Sequence, residues 1–95
     1  MAEDYPVTRN DAASRFETTV DGQLCVLDYH LRDGVLAIDH TGVPSAVGGR
    51  GIAAALTKAA MDTARREGWR VLPNCAYAVA WLARHPDYRD LVSPT

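Results

Sequence analysis

Residues 15–40 read RFETTVDGQLCVLDYHLRDGVLAIDH, and two Asp-Gly pairs cut that stretch into three alternating runs. In Arg15–Val20, Phe16, Thr18 and Val20 share one side and Arg15, Glu17 and Thr19 the other. A period of two is the pattern of a half-buried strand. Asp21-Gly22 is a tight-turn signal, because both residues tolerate positive φ. Gln23–Leu31 alternates again, with Cys25, Leu27, Tyr29 and Leu31 on one face. After Asp33-Gly34, Val35–His40 is the third strand, with Leu36, Ile38 and His40 on one face. Three strands joined by two such turns predict an antiparallel meander.

Downstream the period changes. Pro44 ends the extended segment, Gly48-Gly49-Arg50-Gly51 follows, and Ile52–Glu67 is then helical. Ile52, Leu56, Ala59, Ala60, Thr63 and Ala64 fall on one helical face. Lys58, Asp62, Arg65 and Arg66 take the other, with Asp62–Arg66 spaced as a favourable pair. Gly68 stands where a helix C-terminal glycine belongs. Trp69–Leu72 is a short strand. Asn74 is the expected N-cap of a second helix, Cys75–Arg84, stopped before Pro86. Met1–Ser14 reads as an irregular entry with a short strand near Val7, and Asp87–Thr95 holds at most one more turn. The order is strand, strand, strand, helix, strand, helix. A helix between strands suggests a crossover back onto the same sheet. The predicted fold is α+β: one mixed, mostly antiparallel sheet with two main helices in a single domain, residues 1–95.

Composition fits that size. The chain has 95 residues, 47% apolar and 23% charged. This is ordinary globular usage and argues against disorder or a coiled coil. With formal net charge −2, no strong positive field is available for sequence-blind nucleic-acid binding. Cys25 and Cys75 form no CxxC pair, so neither a zinc site nor a disulfide scaffold is expected. Glu3, Asp4, Arg9 and Asp11 break up the N-terminus, unlike a secretory signal. Val71–Ala83 is too short an uncharged run to span a bilayer. A soluble cytoplasmic protein, monomer or weak homodimer, is the expectation.

The glycine turn is a candidate anion site. Strand, glycine-rich turn and helix in that order place backbone N–H groups without intrahelical partners at a helix start. With the helix dipole, those donors favour a phosphate-like anion. No Asp or Glu occurs between Asp39 and Asp62, although a free helix start usually gathers acids. Two readings stay open: an anion site, or a loop whose glycines merely let the chain turn. It is no Walker loop, since no Lys-Ser or Lys-Thr follows Gly51, and the glycine spacing is not that of a dinucleotide-binding βαβ unit.

Taken together, His40-Thr41-Gly42-Val43-Pro44, Gly48-Gly49-Arg50-Gly51-Ile52-Ala53, Pro73-Asn74-Cys75 and Arg84-His85-Pro86-Asp87-Tyr88 resemble the minimal Yjdj-type N-acetyltransferase domain of the GNAT superfamily. Phe16, Asp21-Gly22 and Tyr29 also fit, so the likeness spans nearly the whole chain. The superfamily's pyrophosphate pattern is Arg or Gln, two residues, Gly, one residue, Gly or Ala. Gly51 and Ala53 match its end, and Gly48 departs from its start.

The resemblance implies an acetyl-coenzyme A site. Its pyrophosphate would lie on the amides of Gly48, Gly49, Arg50, Gly51, Ile52 and Ala53. Its pantetheine arm would run along the strand into Val43, with Thr41 and Asn74 nearby and the thioester near Cys75. Arg50 would compensate for the missing side chain at Gly48. The acceptor would be an amine.

Cys75, at the first helical position, would see the positive end of the dipole and gain thiolate character. It is a candidate nucleophile or a proton donor to departing thiolate; the alternative is a small buried apolar residue. His40 is a candidate base, or a histidine simply bonded at a strand end. Tyr77 is a candidate donor near the thioester, or packing. Cys25 reads as core, Arg65-Arg66 as a solvated face, and Arg84-His85-Pro86 as a helix end with cations near its C-terminus, the alternative being a contact to a terminal phosphate of the cofactor. A non-catalytic coenzyme A-binding or protein-interaction module is the alternative function.

Overall fold

A computed structural model describes residues 5–93. Five strands form one sheet in the order β1 (Thr8–Asn10), β2 (Arg15–Val20), β3 (Gln23–Arg32), β4 (Val35–Gly42), β5 (Arg70–Pro73). Neighbours pair antiparallel except β4 and β5, which are parallel. Helix α1 (Ile52–Glu67) connects those two, and α2 (Ala76–Arg84) follows β5. The short entry strand lies just beyond Val7. The tail past α2 is a 3-10 segment, Pro86–Leu91, after which Val92 bridges Val71.

Both hairpin turns have the backbone that Asp-Gly encodes. Asp21 and Gly22 have φ of 50° and 75°, and Asp33 and Gly34 have 53° and 76°. Two successive positive φ values match the twist of the strands they join. At the end of α1, Gly68 (φ 76°) gives its N–H to Arg65, and Trp69 gives its own to the Ala64 carbonyl at 2.8 Å. This paired 5→2 and 6→1 closure satisfies carbonyls the helix would leave orphaned.

The sheet face carrying Phe16, Cys25, Leu27, Tyr29, Leu36, Ile38 and Val71 packs with Ile52, Leu56, Ala60, Met61 and Ala64 of α1. Trp81 and Leu82 of α2 and Leu91 of the tail join that core. Asp62, instead of pairing with Arg66, takes Lys58 at 2.7 Å and the Tyr88 hydroxyl at 2.6 Å. Arg65 is also engaged, with Asp90 at 3.0 Å, so the expected solvated face is partly a tie between α1 and the tail.

Three expectations need correction. Leu31 does not continue the buried face and is 44% exposed, because β2 ends opposite Asp28 and leaves that end of β3 with no β2 residue beside it. The strand after the second turn runs to Gly42, and His40 does not share a face with Leu36 and Ile38. The ladder pairs Tyr29 with Ile38 but Asp28 with His40, so Asp39 is an extra residue, a β-bulge. The bulge shifts the alternation by one: Thr41, opposite buried Leu27, takes the α1 side, and His40, opposite Asp28, takes the open face. Finally, α2 begins one residue later than predicted. Cys75 is its N-cap (φ −95°, ψ 132°) and Ala76 its first residue. Asn74 is diverted: its N–H goes to the Ile38 carbonyl at 3.0 Å and its side-chain amide to Asp39 at 3.4 Å.

Candidate active site

The bulge sits where the sheet opens. The β4–β5 ladder starts at Val35–Arg70 and ends at Ile38–Pro73, while β4 continues to Gly42. Over Asp39–Gly42, among the described residues, β4 has β3 on one side and no strand on the other. A cleft with main-chain donors and acceptors not taken up by a neighbouring strand along one wall follows from that splay, since each strand residue turns its N–H and C=O sideways. Cys75 stands across the cleft from Thr41, with Sγ 3.6 Å from Thr41 Oγ1.

Two cysteines in one chain are placed in opposite electrostatic surroundings. Burial pushes the Cys25 thiol up, and it belongs to the core as expected. Burial also acts upward on half-buried Cys75, but hydrogen bonding from the Thr41 hydroxyl and from the backbone N–H groups of Ala78, Tyr77 and Thr41 outweighs it, and the net direction is down. No side-chain hydrogen bond closes the cap of α2 in the thiol form; it is the thiolate that those N–H groups favour. The N-cap position therefore gives Cys75 the character expected of the first helical position, by a more direct contact.

Beyond the strand end, a 3-10 turn (Ser45–Val47) leads into the glycine segment. Gly49 and Gly51 have φ of 79° and 77°, and a Cβ at either would meet nothing within 4 Å. These glycines are needed for backbone conformation, and the space beside them is open. Gly51 is the N-cap of α1, with no side-chain cap and no acidic residue in the first turn. The N–H of Ala55 reaches the Gly51 carbonyl at 3.1 Å, opening the intrahelical ladder. Ile52, Ala53 and Ala54 precede it, with N–H groups that the helix itself leaves unpaired. Ile52 is buried, which anchors this end of α1 in the core. Arg50 turns to Asp21 in the first hairpin, at 2.7 Å, and its carbonyl accepts from Tyr5 at 2.8 Å. Its guanidinium thus already holds a carboxylate, and the donors at the helix start are those of the backbone.

The remaining predicted residues are scattered around this cleft. Half-buried Val43 and Tyr77 pack against the core cluster. His40 is exposed on the open face, where its ring lies over Gly42: a Cβ on that glycine would come within 3.3 Å of His40 Nε2. His85 stacks on Trp81 at 3.9 Å between centroids and bonds the Trp81 carbonyl, a helix end as read. Sequence reasoning missed His30 and Asp39, joined at 2.8 Å on the open face beside the splay. His30 was visible as a polar position in an alternating strand, but nothing in the pattern announced the bulge that brings Asp39 to it.

A separate groove of about 500 Å³ lies at the far end of α1, lined by Arg9, Asp62, Arg66 and Glu67 among others. It mixes both signs of charge and contains none of the predicted site residues. Among the described residues, no helix is long and apolar enough to cross a membrane.

Comparison with known proteins agrees with this geometry. The sequence profile of the GCN5-related N-acetyl-transferase family matches residues 15–91. In three dimensions the chain is similar to a GCN5-like protein from Staphylococcus aureus, solved by NMR in solution and assigned provisionally as an N-acetyltransferase. The TM-score is 0.73 at 25% identity, over 98% of this chain and 92% of that one.

Proposed function

The chain belongs to the GCN5-related N-acetyl-transferase family, and from that premise we propose that it carries an acetyl group from acetyl-CoA to an amine. The observation that supports this most is the start of α1. A sixteen-residue helix begins on a left-handed glycine, with neither side-chain cap nor acid, at the end of the splayed strand. Such an end favours a bound anion, and the open space at Gly49 and Gly51 leaves room for one.

In this reading the N–H groups of Gly48 to Ala53 hold the pyrophosphate. The edge of β4 at Thr41, with Val43 just beyond the strand, aligns the pantetheine arm, with Asn74 and Tyr77 on the far wall. Acetyl-CoA, when bound, supplies a thioester whose carbonyl carbon is open to attack by an amine. The chain's own work is to position the reactants and to manage charge. Cys75, with its sulfur set among N–H donors, either receives the acyl group itself or gives its proton to the departing thiolate.

Calorimetric titration of the folded protein with coenzyme A tests the binding half: a one-site isotherm is expected, and no heat with no thermal shift would overturn it. A Cys75→Ala variant tests the sulfur, and the mass of the enzyme during turnover separates its two roles. Transfer at the wild-type rate excludes an acyl-cysteine, whereas loss of a mass-detectable +acetyl adduct together with turnover supports it.

A further inference from the structure

We infer that His30, oriented by Asp39, is the base that takes the proton from the acceptor amine on the open face of the sheet. The inference rests on the acyl-transfer reading above and names the acceptor as a primary amine that arrives protonated. It follows from how the bulge divides the cleft. Thr41 and Cys75 look toward α1. The extra residue Asp39 instead turns its carboxylate to β3, where Oδ2 meets His30 Nδ1 at 2.8 Å. Its other oxygen accepts from the Asn74 amide at 3.4 Å. Asn74 also makes the last rung before the splay and directly precedes Cys75. Two successive contacts therefore lead from the imidazole to the residue beside Cys75.

A carboxylate only accepts, so Nδ1 carries the hydrogen in the neutral ring and Nε2 keeps its lone pair. The ring is 61% exposed on its side-chain surface, open to an incoming amine. By register, Arg15 and Glu17 on β2, Asp28 and Arg32 on β3, His40 on β4 and Arg70 on β5 are the other ionisable residues of that face. Among the described residues, His40 has no hydrogen bond or ion pair to fix its tautomer, and this is why the role falls to His30 instead. A primary alkylamine is an ammonium at neutral pH and cannot attack. Its N–H bond breaks, the proton goes to His30 Nε2, and the electron pair stays on nitrogen. That pair forms the amide bond while the C–S bond of the thioester breaks. The sulfur leaves with its electrons, the second amine proton reaches it directly or replaces the one Cys75 gives up to it, and His30 returns its own proton to solvent.

The test uses the full chain and His30→Gln and Asp39→Asn variants, with benzylamine and 4-aminobenzoate as acceptor probes. General-base removal costs about 10²-fold or more. The expected result is that kcat/KM for benzylamine falls by about that factor in His30→Gln. The weakly basic 4-aminobenzoate, whose amine is already neutral, stays within about threefold. Coenzyme A affinity measured by calorimetry should be unchanged in both variants. Independently of turnover, long-range ¹⁵N–¹H NMR should show wild-type His30 as the Nδ1–H tautomer and Asp39→Asn with that preference lost. Equal loss for both amines, or wild-type kinetics in His30→Gln with ligand binding intact, overturns the inference, as does an Nε2–H tautomer in the wild type. Absence of coenzyme A binding in the wild type would instead defeat the reading of the cleft, leaving the tautomer result to stand on its own.

Discussion

Ala53→Glu should make the free protein more stable and the ligand weaker, two effects of opposite sign from one carboxylate. Ala53 is the second residue of α1, half-buried and outside the core cluster. A glutamate there lies among N–H groups that nothing in the helix pairs. Its charge against the helix dipole contributes about 0.3–1 kcal/mol, or roughly 1–8 °C in the melting temperature of a domain this size. With coenzyme A at 100 times its dissociation constant, the wild type gains about 2.7 kcal/mol. In the variant, a unit charge 4 Å from a phosphate charge costs about 4 kcal/mol at an effective dielectric near 20. A third of that is already a tenfold loss of affinity, which cuts the gain to about 1.4 kcal/mol at the same concentration. Differential scanning fluorimetry with and without coenzyme A reads both numbers, and Ala53→Gln controls for the side chain. A higher melting temperature in the free variant with an undiminished ligand shift would refute the placement of the anion at α1.

Cys75 should react alone with iodoacetamide at pH 7.5 in the native state, faster than a free thiol, because its neighbours hold its titration down while burial holds that of Cys25 up; Thr41→Val should slow it, and intact-mass analysis with two adducts on native protein would contradict this. Tyr88→Phe keeps the ring against Trp81, 5.0 Å between centroids, but removes a hydrogen bond to a carboxylate, so chemical denaturation at pH 7 should show about 0.5–1.5 kcal/mol lost. Burial tends to raise the Asp62 titration, but Lys58 and Tyr88 bring it below the usual carboxylate range. Stability from that group is present at neutral pH and lost as pH falls through its folded value. The gap between wild type and Tyr88→Phe should therefore narrow in acid, and a gap that widened there would be inconsistent with the assigned contact. Leu56→Ala opens the fully buried centre of α1 and should cost about 2–5 kcal/mol, measured by the same denaturation; a loss under 1 kcal/mol would mean the site collapses.

What could be read from sequence was local. The two Asp-Gly turns need only residues that accept positive φ, and the sixteen residues of α1 are bounded by glycines at both ends, so neither depended on tertiary contacts. The acid-free start of α1 was likewise visible as a gap in the distribution of carboxylates. The features missed all depend on one residue's partner elsewhere in the fold. Asparagine is a strong N-cap by propensity, yet Asn74 is claimed by Ile38 and Asp39 across the sheet, and the cap passes to Cys75. A bulge adds a single residue and leaves composition and hydropathy unchanged. The alternation through Leu36 and Ile38 therefore put His40 on the wrong face, and left Asp39 unconnected to His30. Arg50 was expected to make up for the side chain missing at Gly48, and nothing local announced its partner Asp21, in a hairpin twenty-nine positions away.

Backbone amide shifts of ¹⁵N-labelled protein during titration with coenzyme A report directly on which donors take the pyrophosphate. The largest and saturable changes should fall on Gly48 through Ala54, with a second set along Asp39 to Val43. Saturation with those amides unmoved, and the shifts gathered instead around Arg9 and Arg66 at the other end of α1, would contradict the account.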